Sequence, residues 1–234
     1  MIKAVFFDAG HTLLYAHPDL GTIYAETTAG LGVRLPPERF AEVFVPIFRE
    51  AVKRYAGESV SSDAHDYAMW RAISRKIYDG LEALRAIDFD GWFEALYRRF
   101  GEPEVWRFYE DVEPVLKDLR ARGLKLGVVS NWDTRLRGIC EGLGLCRLVD
   151  FIVISAEVGV RKPDPRIFHV ALEKAGVRPE ETLHVGDQPE EDVEGARRAA
   201  IRPVLIDRPR RITAWNLSTD VRVVASLNDI VSLL

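Results

Sequence analysis

Four short apolar runs place the strongest limit on how this chain folds. Each is bounded by turn-forming residues, and together they cover residues 4–7, 125–129, 151–154 and 182–185. A run of about four to eight apolar residues with such boundaries is typical of a β-strand buried on both faces. Residues 203–206 form a fifth run of this kind, and residues 221–224 are a candidate sixth.

Segments with helical character separate these runs. Three of them end at a glycine, which terminates helices because it accepts a left-handed backbone; they span residues 112–122, 134–143 and 165–175. Residues 190–200 form a fourth helical segment. Regular alternation of strand and helix predicts an α/β fold, a Rossmann-like, doubly wound parallel sheet with helices on both faces.

Residues 15–110 do not follow this alternation. Apolar and aromatic side chains recur there at helical spacing in three stretches, at residues 40–51, 67–81 and 89–100. Stripes of this type usually pack helices against one another. We therefore predict an α-helical cap subdomain, residues 15–110, inserted into an α/β core formed by residues 1–14 and 111–234.

Composition narrows the class of protein. The chain is 47% apolar and 29% charged, as is usual for a soluble globular protein. A net charge of −4 without a basic stripe predicts no nucleic-acid partner, and no run approaches the roughly 20 apolar residues of a membrane span. Oligomeric state is left open.

The sequence also suggests a cellular location. No secretory signal is visible, and Cys140 and Cys146 lack the spacing of a metal site, so we expect a cytoplasmic protein with reduced thiols. Three Asn and one Gln favour a thermophilic source, whereas 25 Arg against 7 Lys is equally typical of a GC-rich genome.

Polar side chains follow the carboxyl ends of four predicted strands. In an open parallel sheet these ends meet at one edge, where ligands bind. Each residue taken alone is more often a turn or a helix cap, so their shared placement is the signal. They are Asp8, Ser130 with Asn131, Lys162, and Asp187 with Asp192.

Electrostatics indicates what such a site binds. Asp8, Asp187 and Asp192 in one cleft would repel one another and resist ionisation. Mg²⁺ relieves this repulsion, since it prefers carboxylates, carbonyls, water and phosphate oxygens. Lys162 adds a fixed positive charge and Ser130 a hydroxyl. The set predicts a site for a small phosphorylated molecule, at which Asp8 attacks phosphorus to form an aspartyl-phosphate.

Four stretches resemble the motifs of the haloacid dehalogenase superfamily, in that family's order. They read FFDAGHTLL, VVSN, RKPDP and HVGDQPEEDVEGA. The resemblance implies that Asp8 is the nucleophile and a metal ligand, and that Lys162 pairs with both nucleophile and phosphate. It further implies Mg²⁺ as cofactor, Asp187 and Asp192 as metal ligands or metal support, and phosphate-binding roles for Thr12, Ser130 and Asn131.

Gly10 departs from the phosphatase pattern. In phosphatases of this superfamily the first motif resembles D-x-D-G-T. Its second Asp protonates the leaving oxygen and later activates water. The carbonyl of Gly10 can still bind a metal, but the acid–base group, typically worth about 10²–10⁴-fold in rate, is absent. His11 is a candidate replacement because imidazole titrates near neutral pH; alternatively it only fills the glycine position of the turn. More distant candidates are His17, His65, Lys53 and Lys76, besides unaided water.

Three other functions stay open. In dehalogenases the first motif resembles D-A-Y-G-T, and no metal is needed. Their fourth motif lacks the Gly-Asp that this chain has at Gly186-Asp187, which counts against dehalogenation. Phosphonoacetaldehyde hydrolases resemble D-x-A-G-T and use a cap lysine, for which Lys53 and Lys76 are candidates. A binding protein without useful turnover is the third. We favour a Mg²⁺-dependent, phosphatase-like hydrolase acting on a small phosphorylated metabolite.

Overall fold

The structure is a computed structural model that describes residues 1–55, 58–208 and 221–234, without the side chains of residues 52 and 53. Its strands are β1 (Ala4–Phe7), β2 (Leu14–Ala16), β3 (Trp106–Phe108), β4 (Lys125–Ser130), β5 (Phe151–Ile154), β6 (Thr182–Gly186), β7 (Arg202–Ile206) and β8 (Arg222–Val224). Six of them form a parallel sheet in the order β5-β4-β1-β6-β7-β8, and β2 pairs antiparallel with β3. All six predicted sheet strands are confirmed.

Nine α-helices accompany the strands in the described part of the chain. They are α1 (Leu20–Gly30), α2 (Pro37–Tyr55), α3 (Asp63–Gly80), α4 (Phe89–Arg99), α5 (Val112–Ala121), α6 (Arg135–Leu143), α7 (Ser155–Val158), α8 (Pro165–Ala175) and α9 (Gly195–Arg198). The predicted helix at 190–200 is divided into a π-helix, Pro189–Glu194, and the short α9. Across the described ranges, no helix combines the length and hydropathy that a membrane span needs.

The side chains of β1 alternate between the two faces of the sheet, as strand geometry requires. Val5 and Phe7 belong to the core that includes residues of α5 and α6. Ala4 and Phe6 belong to a second core that includes residues of α8 and α9. The sheet is therefore covered by helices on both sides, which confirms the predicted Rossmann-like fold.

The β2–β3 ribbon brings together the two ends of the helical insertion. Leu14 pairs with Phe108 and Ala16 with Trp106, so the chain leaves the core and returns to it along adjacent strands. Helices α1–α4 lie between these strands and share a third apolar cluster of their own. The chain thus has a helical insertion between β2 and β3, while its assignment as a cap subdomain with boundaries at residues 15 and 110 stays a prediction.

The insertion also contacts the core at a second place. Both carboxylate oxygens of Asp63, the first residue of α3, accept hydrogen bonds from Thr134 just before α6, at 2.8 Å from N–H and 2.9 Å from Oγ1. Val60 forms an antiparallel bridge with Val160. These contacts join the insertion to two loops that follow strands of the main sheet.

Trp92 occupies the centre of the apolar cluster of the insertion. Its ring is fully buried, and Nε1 donates to Oγ1 of Thr28 at 2.9 Å. We expect Trp92→Ala to lower the free energy of unfolding by about 3–5 kcal/mol, because the substitution leaves a cavity and an unpaired hydroxyl. Urea denaturation measures this loss.

Trp70 supplies the matched control, since its ring is only half-buried and stacks on Phe48. Trp70→Ala should cost about 1 kcal/mol. Equal losses in the two variants would show that the cluster is not centred on Trp92.

Candidate active site

Three neighbouring strands bring their carboxyl ends together at one edge of the sheet. Phe7 pairs with Val128 of β4 on one side and with Val185 of β6 on the other. Asp8 therefore follows the central strand, and its N–H donates to the carbonyl of Val185 at 2.9 Å. Parallel pairing alone thus places residues from distant parts of the sequence around Asp8.

Lys162 lies at the centre of this edge. Its side chain is 1% exposed, and Nζ donates to Oδ1 of Asp8 at 2.7 Å and to Oδ1 of Asp192 at 2.6 Å. Burial opposes its protonation, but the carboxylates of Asp192 and Asp8 outweigh burial and raise the pKa of Lys162 above its ordinary range. Lys162 is therefore a permanent cation against the predicted nucleophile.

Asp192 is held by three donors. Its Oδ1 accepts hydrogen bonds from Nζ of Lys162 and from Nε2 of His184, the latter at 2.9 Å. Its Oδ2 accepts from the backbone N–H of Gln188 at 2.9 Å. Burial raises the pKa of Asp192, but Lys162 and His184 together bring it below the ordinary value. A side chain at Gly186 would overlap this carboxylate, because its Cβ would lie 2.1 Å from Cγ of Asp192. Asp192 is thus ionised and fixed in position.

The three predicted metal-binding carboxylates lie close together. One oxygen from each of Asp8, Asp187 and Asp192 falls within 4.8 Å of the others. Burial, then the charges of Asp8 and Asp192, raise the pKa of Asp187 well above its usual range, and burial also raises the pKa of Asp8. Hard oxygen donors that repel one another are suited to a cation such as Mg²⁺.

Of the predicted phosphate-binding residues, Lys162 and Ser130 contact Asp8 directly. Ser130 Oγ donates to Oδ1 of Asp8 at 3.0 Å. Thr12 is fully buried, and its Oγ1 has no hydrogen-bond partner among residues 1–55, 58–208 and 221–234. The side chain of Asn131 donates to the carbonyl of Lys162 at 2.9 Å and accepts from its N–H at 2.7 Å. Asn131 therefore fixes the backbone of Lys162, while its contact with phosphate stays a prediction.

Gly10 and His11 form the turn after the nucleophile. His11 has a φ of 56°, in the left-handed region that favours glycine, and its side chain is exposed. A Cβ at Gly10 would lie 3.3 Å from Cζ3 of Trp132. The ring of Trp132 thus stands beside the position where a phosphatase of this pattern carries its acid–base group.

The more distant acid–base candidates do not join this cluster of side chains. His17 is exposed, and Nε2 of His65 lies 3.1 Å from the carboxylate of Glu58. Lys76 pairs with Glu50 at 2.9 Å within the insertion. The side chain of Lys53 lies outside the described residues.

A buried cluster of charged side chains next to Lys162 was not predicted from the sequence. Arg161 is 8% exposed, with Nη1 3.9 Å from Asp66 of the insertion and Nη2 4.0 Å from Glu191 of the core. Asp66 lies 95 positions from Arg161, within the polar stretch SSDAHDY, and no local pattern in that stretch predicts this contact. His184 was the more visible omission, because it is a polar residue within an apolar strand.

The chain is similar to known proteins of one hydrolase family. The haloacid dehalogenase-like hydrolase family model matches residues 2–200. A phosphoserine phosphatase from Thermus thermophilus is 35% identical over 243 residues, 95% of each chain. A glyceraldehyde 3-phosphate phosphatase from Methanopyrus kandleri is 34% identical over 220 residues, 89% of this chain and 85% of the relative. A HAD phosphatase from Thermococcus onnurineus superposes with a TM-score of 0.66 at 25% identity, over 99% of this chain and 97% of that structure.

The raised pKa of Asp187 gives a test of the carboxylate cluster. A carboxyl whose pKa is higher in the folded than in the unfolded state stabilises the fold at low pH and loses that contribution as pH rises through the folded pKa. In metal-free buffer at neutral pH, Asp187→Asn should therefore raise Tm, by about 2–4 °C. This gain should shrink as the pH is lowered.

Millimolar Mg²⁺ should raise Tm of the unmodified protein but not of Asp187→Asn, because binding to the folded state stabilises it. The exposed Asp79 provides the control. Asp79→Asn should change neither the Tm in metal-free buffer nor the rise in Tm that Mg²⁺ causes. A lower Tm for metal-free Asp187→Asn at neutral pH would contradict repulsion among these carboxylates.

Proposed function

The chain belongs to the haloacid dehalogenase-like hydrolase family, and we propose that it is a Mg²⁺-dependent phosphatase that acts on a small phosphorylated metabolite. The observation that carries this proposal is the buried ammonium of Lys162 between Asp8 and Asp192. A cation fixed against a carboxylate opposes the effect of burial on the pKa of that carboxylate and attracts an anionic substrate to it. Phosphatase relatives support the same substrate class.

In the first step, a carboxylate oxygen of Asp8 attacks phosphorus and the bond to the leaving oxygen breaks. Lys162 and the hydroxyl of Ser130 balance charge on the phosphoryl oxygens. Oγ1 of Thr12, which has no hydrogen-bond partner in the described part of the chain, gives them a further donor. In the second step, water attacks phosphorus, and inorganic phosphate leaves as the Asp8 carboxylate is regenerated.

The carboxylate cluster fits Mg²⁺, which Asp8, Asp187 and the carbonyl of Gly10 would hold with Asp192 as ligand or support. Bound Mg²⁺ would supply positive charge for these carboxylates and for the phosphoryl oxygens. The three donors on Asp192 favour the supporting role, in which it orients Lys162.

The proposed site has no acid–base side chain at position 10 to transfer a proton to the leaving oxygen. Because Gly10 provides no acid, the leaving oxygen takes its proton from water or from His11. Activated esters such as acyl phosphates, whose leaving groups need no proton, should react fastest. We expect ordinary phosphomonoesters to react more slowly. We also propose that the protein acts in the cytoplasm, as expected from its sequence.

Asp8→Asn tests the nucleophile. Phosphate release with Mg²⁺ should be measured for acetyl phosphate, p-nitrophenyl phosphate, phosphoserine and glyceraldehyde 3-phosphate. We expect kcat to fall by about 10³-fold or more, because an amide is not a nucleophile, whereas Asp79→Asn should retain full activity.

Two outcomes would favour other functions. No release above the Asp8→Asn background with any ester would indicate a binding protein. Halide release from 2-haloacids without metal would identify a dehalogenase, since that displacement needs only the nucleophile.

Gly10→Asp tests the missing acid. We expect kcat to rise at least about 10-fold for p-nitrophenyl phosphate and other phosphomonoesters, and little for acetyl phosphate. Gly10→Asn is the matched control, because it has the same size without a titrating group. Trp132 must move by a few tenths of an ångström to admit either side chain, so each is also made with Trp132→Phe. Equal rates for Asp and Asn in both backgrounds would refute this account of Gly10.

A further inference from the structure

Arg208 reaches from the end of β7 to the loop that carries the nucleophile. Nε and Nη2 of its guanidinium donate to the carbonyl of Thr12, at 2.9 and 2.7 Å. The two residues are 196 positions apart in the sequence. Two donors on one carbonyl oxygen fix the peptide plane of Thr12 in direction as well as in place.

The guanidinium is itself fixed from its other side. Nη1 and Nη2 donate to the two carboxylate oxygens of Asp111, at 3.0 and 2.9 Å. The guanidinium lies 3.8 Å from the centre of the Tyr109 ring. Both charged side chains are only 10% exposed, so this bidentate pair is partly shielded from water and holds one geometry.

Asp111 is anchored in turn by the C-terminal segment. Its Oδ2 accepts from Oγ of Ser226 at 2.6 Å and from the N–H of Leu227 at 2.8 Å. The end of β7, the start of α5 and the C-terminal segment therefore meet at one carboxylate. None of these residues belongs to the four sequence motifs.

Thr12 closes the short loop that begins at Asp8. The N–H groups of Leu13 and Leu14 both donate to the carbonyl of Ala9, at 2.9 and 3.0 Å. Asp8 at the start of the loop is held by β6, as described above, and Thr12 at its end has the contact with Arg208. Because Asp8 is held separately, a shift of the Thr12 peptide would move its buried Oγ1 relative to the nucleophile.

We propose that Arg208 is a positioning residue, which holds the nucleophile loop through the carbonyl of Thr12 and so keeps Asp8 and Oγ1 of Thr12 aligned on one phosphoryl group. The inference rests on the proposed function for its catalytic consequence, but the restraint on the loop is independent of catalysis. Arg208 itself touches no reacting atom.

Hydrogen–deuterium exchange tests the restraint without any substrate. In Arg208→Lys, a single ammonium cannot reproduce the four hydrogen bonds of the guanidinium. We expect the amides of Leu13 and Leu14 to exchange roughly tenfold faster than in the unmodified protein. Arg202 gives the matched control, since it lies at the other end of β7 and also donates to a backbone carbonyl, that of Leu233, at 2.9 Å.

Kinetics tests the consequence for the reaction. Arg208→Lys and Arg208→Ala should lower kcat for acetyl phosphate by about 10- to 100-fold with little change in KM, because misplacement of reacting groups mainly affects the transition state. Millimolar guanidinium ion should restore part of kcat in Arg208→Ala. Arg202→Ala should keep kcat and show no such rescue.

These measurements separate the possible outcomes. Faster exchange in the loop with a lower kcat in Arg208→Lys, and neither in the control, supports the proposal. Unchanged exchange at Leu13 and Leu14 overturns it, as does a kcat loss that only follows the unfolded fraction. An unmodified protein without turnover would refute the proposed function, while faster loop exchange in Arg208→Lys would still establish the restraint.

Discussion

The rest of the site depends on the ion pairs that the buried ammonium of Lys162 forms with Asp8 and Asp192. An ammonium removed from water is unstable unless anionic partners surround it, and here Asp8 and Asp192 supply two. Asp192 is in turn satisfied by His184 and the N–H of Gln188. One positive charge then faces two carboxylates, and Asp187 adds a third. The site remains short of positive charge, which is the electrostatic reason for expecting a divalent cation there.

The parallel sheet makes this arrangement possible with few residues. β1 lies between β4 and β6, so that Asp8 and Asp187 directly follow two adjacent strands and Ser130 is the last residue of the third. No long side chain is needed to bring these three residues together. Lys162 does not follow a strand directly, and the side chain of Asn131 compensates by binding both backbone groups of Lys162. Strand pairing therefore places the carboxylates, and a side-chain contact between loops places the cation.

The sequence predicted those parts of the fold that depend on neighbouring residues. Apolar runs located β1 and β5 to the residue, and proline and glycine located α8. The β2–β3 ribbon was missed because three-residue strands show no periodicity. The helical segment predicted at 190–200 begins as a π-helix, because the N–H groups of Asp192 and Val193 both donate to the carbonyl of Gln188 and widen the first turn. Contacts of Arg161 and Arg208 link distant segments, which no local pattern encodes.

The insertion and the chemistry are coupled through the same two loops. Asp63 binds Thr134, in the loop that carries Trp132 beside Gly10, and Val60 pairs with Val160, two residues before Lys162. Movement of the insertion would therefore shift both the loop that carries Lys162 and the loop that places Trp132 beside Gly10. We expect such a site to keep its charge stabilisation, while the leaving oxygen takes its proton from water or from His11 because Gly10 provides no acid. Selectivity should then follow the basicity of the leaving group as much as its fit to the insertion.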